Sequence, residues 1–246
     1  MRGASRALGA LLFTVMALPT PAQAGEWAQI DDDDGIKVWR RSVEGSDFVV
    51  FRGRGNVKAP IQLVAAVIRD ADRETEWMEN CVDAKTVRFL TATDAIVYHR
   101  TGSPVPFIAD RDTVLKTTTA VFPEKRTVLV DFNNTTDSAA PPKDGVVRMP
   151  TLKGHWRLVQ LDPYTTEVEY QVQADPGGAL PAWLVNMVSK KLPFHTVRRL
   201  RGQVGQGGYE QHRAILEVAI DWSGFAQPPP QDTLRPAPTA QPVEVR

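Results

Sequence analysis

Few places in this 246-residue chain bring together side chains that could do chemistry. Glu74, Glu76 and Glu79 lie close in sequence, as paired acid and base carboxylates must, but their spacing reads as one solvated face of a short helical segment. His99 and His155 fall in strand-like runs and could meet across a sheet; they read as ordinary sheet histidines. Cys81 is the only cysteine, which excludes an intrachain disulfide and a structural cluster of thiolates. As a nucleophile Cys81 would need a base beside it. The histidines at 99, 155, 195 and 212 are scattered, so Cys81 reads as a half-buried apolar residue. Asp31–Asp34 with Gly35 lacks the alternating ligands and distant glutamate of a calcium loop and reads as a solvated turn. There is no GxSxG, HExxH, Walker A or post-strand GxGxxG motif. Gly53-Arg54-Gly55 lacks the third glycine and the helix start. Nothing here calls for a metal or a cofactor.

The strongest pattern lies late in the chain. Over residues 180–204, Leu180, Leu184, Met187, Val188, Val197, Leu200 and Val204 recur at steps of three and four, the spacing of one helical face. Lys190, Lys191, Arg198, Arg199 and Arg201 make the other face cationic. Pro193 should kink this helix. Upstream, Ile36–Val43 and Asp47–Arg54 read as a hairpin, and residues 60–70 as a helix opened by Pro60. Strand-like runs follow at 82–90, 95–101, 111–122 and 126–133, then a long polar loop over 133–145. Further strands are expected at 146–149, 154–161 and 167–174. In the last, Val168, Tyr170 and Val172 alternate with Glu167, Glu169 and Gln171, as in a sheet with one wet face. His212–Ile220 could add a short helix. The order predicts an α+β plan, a curved antiparallel β-sheet gripping a long C-terminal α-helix, and such a sheet often encloses a pocket.

Composition sets outer limits. Hydrophobic residues make up 42% and charged residues 24%, enough for a sizeable core. Basic and acidic residues number 29 each, so no global attraction to nucleic acid is expected. Residues 1–24 read as a signal peptide: Arg2 and Arg6, an apolar Leu8–Leu18, and Ala22-Gln23-Ala24 as a cleavage site. Cleavage near Ala24 would export the protein, to the periplasm or the extracellular space. The Pro-rich residues 227–246 read as a disordered tail.

Trp27, the run Gly35-Ile36-Lys37-Val38-Trp39-Arg40-Arg41, Phe51-Arg52-Gly53, Trp77, Pro104-Val105-Pro106 before Arg111-Asp112, and Pro181-Ala182-Trp183-Leu184 together resemble a START domain, the StAR-related lipid-transfer family. The resemblance covers residues 27–204, and the domain is placed at 25–208 with an extension at 209–226. It implies a helix-grip fold around an internal hydrophobic tunnel. It further implies binding and transfer of one lipid or other hydrophobic molecule without covalent chemistry, and no cofactor. Trp77, Arg111 and Asp112 match the family motif and are read as mainly architectural, Arg111 fixing the start of its strand through a carboxylate or loop carbonyls. Positions where some sterol-binding members carry a buried acid and arginine fall near Ala84 and Thr117, which puts a sterol-type contact in doubt.

Strand facing and the helix pattern nominate Val97, Leu115, Val130, Trp156, Tyr170, Leu184, Met187 and Val188 as ligand-binding. Lys190, Lys191, Arg198, Arg199 and Arg201 are the candidates for transient contact with a membrane surface. Two alternatives stay open. One is a pocket enzyme of the same superfamily, aromatase/cyclase-like or hydrolytic, with His99 or His155 working beside Asp112. The other is a sensor or scaffold whose pocket is filled by side chains.

Overall fold

The computed structural model describes residues 25–178 and 180–227; the expected leader, and the proline-rich tail from residue 228, lie outside the described residues. Ten strands form one sheet: β1 Ala28–Asp33, β2 Ile36–Val43, β3 Ser46–Val57, β4 Cys81–Phe89, β5 Ala95–Thr101, β6 Arg111–Phe122, β7 Thr127–Asn134, β8 Val147–Arg148, β9 Thr151–Asp162 and β10 Thr165–Asp175. Their order is β1-β2-β3-β10-β9-β7-β6-β5-β4. Neighbours along that path are antiparallel. The short β8 runs parallel to β6 just beyond the point where β7 ends. The helices are α1 Ile61–Arg69, α2 Ala182–Ser189, α3 Leu192–Gln203 and α4 Glu210–Ala219, and a 3-10 turn covers Ala71–Glu76. None of the described helices is long and apolar enough to cross a membrane.

Alternation builds the inner face as expected: Val168, Tyr170 and Val172 of β10 are buried. Aromatic rings floor it, with Trp156 and Tyr170 stacked at 4.3 Å and Trp77 set 5.7 Å from Trp156. The outer face is less wet than expected. Glu169 is only 5% exposed there. Its carboxylate takes Arg54 at 2.5 Å and His155 at 3.3 Å, and Arg52 lies 3.8 Å away. The Arg52 guanidinium is layered between Trp27 and Trp39, 4.1 and 4.7 Å from their ring centres. Asp31–Asp33 are not a turn. They lie in β1, an exposed edge strand, and only Asp34-Gly35 makes the bend. The polar loop after β7 also differs from expectation, because it folds back over β5 and β6, where Ala140 packs with Ile96, Tyr98 and Val114.

The expected single helix over 180–204 is two helices, separated at Lys190–Lys191, with Pro193 in the first turn of α3. A proline ring tolerates a first turn but not a helix interior. The two halves are held differently. In α3, Pro193, Phe194, Thr196, Val197, Leu200 and Gln203 are buried, whereas α2 buries no residue. Seating α3 requires glycine on the sheet at position 53, where a Cβ would stand 2.8 Å from Pro193 Cβ; at Gly55 a Cβ would instead crowd Ile36 of the neighbouring β2, at 2.9 Å. The first glycine of the Gly-Arg-Gly set aside in the sequence is therefore a helix seat. Helix α1 is buried nearly all round because β9 and β10 cover one side and α4 the other. The segment after α3 belongs to the same core, which includes Tyr209, Leu216, Ile220, Trp222 and Phe225.

Burial alone would raise the Glu169 pKa, but hydrogen bonds from His155 and Arg54 and the charges of Arg54 and Arg52 outweigh it, bringing it down to about 2. A carboxylate with a depressed folded pKa adds stability above its ordinary value of 4.5, and that stability is lost as pH falls toward about 2. Glu169→Gln is expected to lower stability at neutral pH by about 1–3 kcal/mol and to flatten the acid limb of a pH series of urea melts. An acid limb like the parent's would show that the cluster carries no such energy.

Candidate functional site

Two cavities lie between the sheet and the helices. The inner one, about 80 Å³, is bounded by α1, the 3-10 turn, β5, β6, β7, β9 and α4. The outer one, about 160 Å³, is bounded by β3, β10, the loop after β5 and α2. Met78, His99, Leu152 and Tyr170 line both, so the two adjoin as an inner and an outer lobe with these four residues at the waist between them. Strand periodicity puts Val97, Leu115, Val130 and Trp156 on the inner lobe and Tyr170 at the waist, while Leu184 and Val188 of α2 look onto the outer lobe. Met187 is a correction. It is 51% exposed and lines neither lobe, because the face of α2 turned to the outer lobe runs through Leu184, Val185, Val188 and Ser189, and Met187 lies off that face. Thr117 does reach the inner wall, but its hydroxyl exchanges hydrogen bonds with the Ala95 backbone; Ala84 is buried and lines neither lobe.

The polar groups of the wall were mostly missed. Glu74 does not lie on a solvated face; its side chain is 13% exposed and reaches His99 Nδ1 at 2.9 Å. Cys81 lies 3.6 Å from the same nitrogen, so its base was in the sequence but 18 residues away. Burial would keep His99 neutral, but hydrogen bonding of its Nδ1–H toward Cys81 and Glu74, together with their charges, prevails and raises its pKa to about 10. Period-two alternation from Val97 places His99 inward. What brings Cys81 alongside is a register shift between Cys81 and Asp83, which pattern does not reveal. The two strand histidines do not meet, and neither is hydrogen-bonded to Asp112. His155 is on the outer face with Glu169.

The Arg111-Asp112 motif splits into two roles. Arg111 lines the outer lobe and donates to the carbonyls of Ala109 and Pro176, the latter at 3.4 Å. Desolvation lowers its pKa, and Asp110 opposes this. Asp112 pairs instead with Arg148, which holds it in a fork at 2.7 and 3.1 Å and also donates to Ala140 and Pro141 of the folded-back loop. Trp77 is 1% exposed beneath the aromatic floor. The cationic face is partly spoken for. Arg199 pairs with Glu79 at 3.0 Å and Arg201 with Asp34 at 3.1 Å, so neither is a free surface charge. Lys190, Lys191 and Arg198 are exposed and form no ion pair among the described residues.

The START domain family model matches residues 16–206. The chain belongs to the START domain family. An uncharacterized protein of Pseudomonas aeruginosa is 31% identical to this START domain chain over 201 residues, covering 82% of this chain and 97% of the relative. The crystal structure of a STAR-related lipid transfer protein from Xanthomonas axonopodis matches with a TM-score of 0.67 at 34% identity, covering 73% of this chain and 99% of that one. Human StAR-related lipid transfer protein 5 shares the fold, with a TM-score of 0.65 at 21% identity over 75% of this chain and 89% of that one.

Asp112 has no exposed side-chain surface, so deleting its partner strands a charge in the START domain. Arg148→Ala should cost about 3–5 kcal/mol, and Asp112→Asn made in the Arg148→Ala background should recover much of it. Denaturant melts of the four proteins in this cycle test the pair; additive losses would mean the two residues act independently.

Proposed function

We infer that this START domain is a non-enzymatic carrier that holds and transfers one lipid or other hydrophobic molecule in its tunnel. The observation that carries this reading is the combination of two adjoining apolar cavities with a roof, α2, that buries none of its own residues. Removing methylenes from water is worth about 0.8 kcal/mol each, so such a tunnel needs no covalent chemistry to retain an acyl chain. The name of the Xanthomonas relative, a lipid transfer protein, agrees with this.

Size sharpens the proposal. An outer lobe of about 160 Å³ is smaller than the ~300–1,000 Å³ usual for ligand pockets. The closed form therefore suits a slim single-chain molecule, and a bulkier one needs α2 to swing out. The loose helix is tethered through Asn186, whose amide accepts from Val49 N at 3.3 Å and donates to Asp47 O at 3.1 Å. Apolar side chains surround the same lobe on the outside. Trp183 and Met187 of α2 are 67% and 51% exposed, and Phe107 on the neighbouring loop is fully exposed at φ 63°. An aromatic held there is penalised in both backbone and solvation free energy, and a bilayer interface relieves the second of these. Lys190, Lys191 and Arg198 supply attraction to anionic head groups. Export through the leader-like residues 1–24 is part of the same proposal.

Native mass spectrometry of the protein purified from its own host is expected to show one adduct of lipid mass per chain, and extraction identifies its class. A bare protein that also takes up nothing from vesicles would overturn the carrier reading in favour of a filled-pocket sensor. For docking, Trp183→Ser and Lys190→Glu/Lys191→Glu should each slow transfer to anionic vesicles several-fold; unchanged rates would remove α2 from the contact.

A further inference from the structure

Three donor atoms from three separate segments meet at the waist of the tunnel. Glu74 comes from the 3-10 turn, Cys81 from the first position of β4 and His99 from β5. Their ligand atoms all lie within 4.8 Å of one another. Glu74 Oε2 is 2.9 Å and Cys81 Sγ 3.6 Å from the same ring nitrogen, His99 Nδ1.

Two features set this cluster apart from a nucleophile with its base. In a relay the thiol and the carboxylate occupy opposite ring nitrogens, so that the imidazole passes a proton between them. Here both face Nδ1. Cys81 also lines neither lobe, so its sulfur is not offered to whatever occupies the tunnel. What the three share is a small volume bordered by a carboxylate, an imidazole and a thiol. That is a donor set zinc accepts, and catalytic-type zinc sites use three protein ligands and leave a fourth position open. Zinc bonds of about 2.0–2.3 Å at tetrahedral angles would set nitrogen–oxygen and nitrogen–sulfur edges of about 3.4 and 3.6 Å. The sulfur edge is already in place, and the Glu74 carboxylate would withdraw by about 0.5 Å on that geometry.

The surroundings favour a cation. His99 is 6% exposed, and the Glu74 carboxylate and the Cys81 sulfur both face its Nδ1 in this buried space. Glu74 and His99 border the inner lobe, and Tyr170 stands at the waist with no hydrogen-bond partner for its hydroxyl among the described residues.

We propose that Glu74, Cys81 and His99 form a three-donor site for a zinc-type divalent cation, with its fourth position open to the tunnel. The fourth ligand is a water or an acidic group of the tunnel's occupant. The cation site itself does not rest on the carrier reading.

The full chain, reduced and stripped with a chelator, is titrated with Co²⁺ alone and then with Zn²⁺. The expected result is one Co²⁺ per chain with a thiolate-to-cobalt charge-transfer band, bleached as Zn²⁺ displaces it. Cys81→Ser should abolish the band and weaken zinc binding by about 100-fold or more, beyond what loss of an outer-shell partner does. Folded protein, verified by circular dichroism, that takes up no Co²⁺ with a thiolate band overturns the proposal, as does Cys81→Ser binding zinc as tightly as the parent. If Cys81→Ser does not fold, Glu74→Gln replaces it, and unchanged zinc affinity in that variant is equally fatal. Cobalt titration of the stripped chain and native mass spectrometry of bound lipid are separate readouts, so the two readings fail separately.

Discussion

Helix α3 can lie against the sheet only because position 53 of β3 carries no side chain. From that contact the remainder of the ligand chamber takes its form. Pro193 presses on Gly53, and Phe194, Val197 and Leu200 follow it into the core. A close-packed seat of this kind cannot slide without losing dispersion contacts along its whole length. The preceding turn has no such seat. Before the break at Lys190–Lys191, α2 spans the outer lobe while burying none of its residues. One amphipathic stretch is thereby divided into a fixed half and a loose half, and the division falls over the tunnel.

The strands were legible because period-two alternation is local geometry, and the residues it placed inward, Val97, Leu115, Val130, Trp156 and Tyr170, do line the cavity walls. Phase over a long helix is less secure. The pattern put Met187 beside Leu184 and Val188, but the inward face of α2 is centred nearer Val185 and Val188, which leaves Met187 on the solvent side. Partners distant in sequence were invisible: Arg199 with Glu79, Arg201 with Asp34, and Asp112 with Arg148 rather than with a histidine. The acidic cluster at 74–79 read as solvated because a short 3-10 turn has no periodicity to show which of its acids points inward. Glu74 does so, towards a histidine 25 residues further on.

The segment beyond α3 explains a helix that seemed too apolar for the surface. Val64, Ala65, Ala66, Val67 and Ile68 are buried in succession, and a helix hydrophobic on all sides needs cover on all sides. Helix α4 provides the outer cover and contributes Leu216 and Ile220 to the inner lobe. Gln160 of β9 fastens the end of the segment by exchanging two hydrogen bonds with Ala226, at 2.8 and 2.7 Å. The chamber is consequently closed at its inner end by the last described part of the chain.

The edge strand β1 carries Asp31, Asp32 and Asp33 in succession, all exposed. An open sheet edge is a template on which another chain can add its own strand. Two copies meeting edge to edge here would bring three carboxylates against three, across the roughly 5 Å that separates paired strands. Lys37 of β2 reaches only Asp32, at 3.7 Å, so much of that charge is left facing outward. The acidic run thus sets like charge against edge-to-edge growth of the ten-stranded sheet.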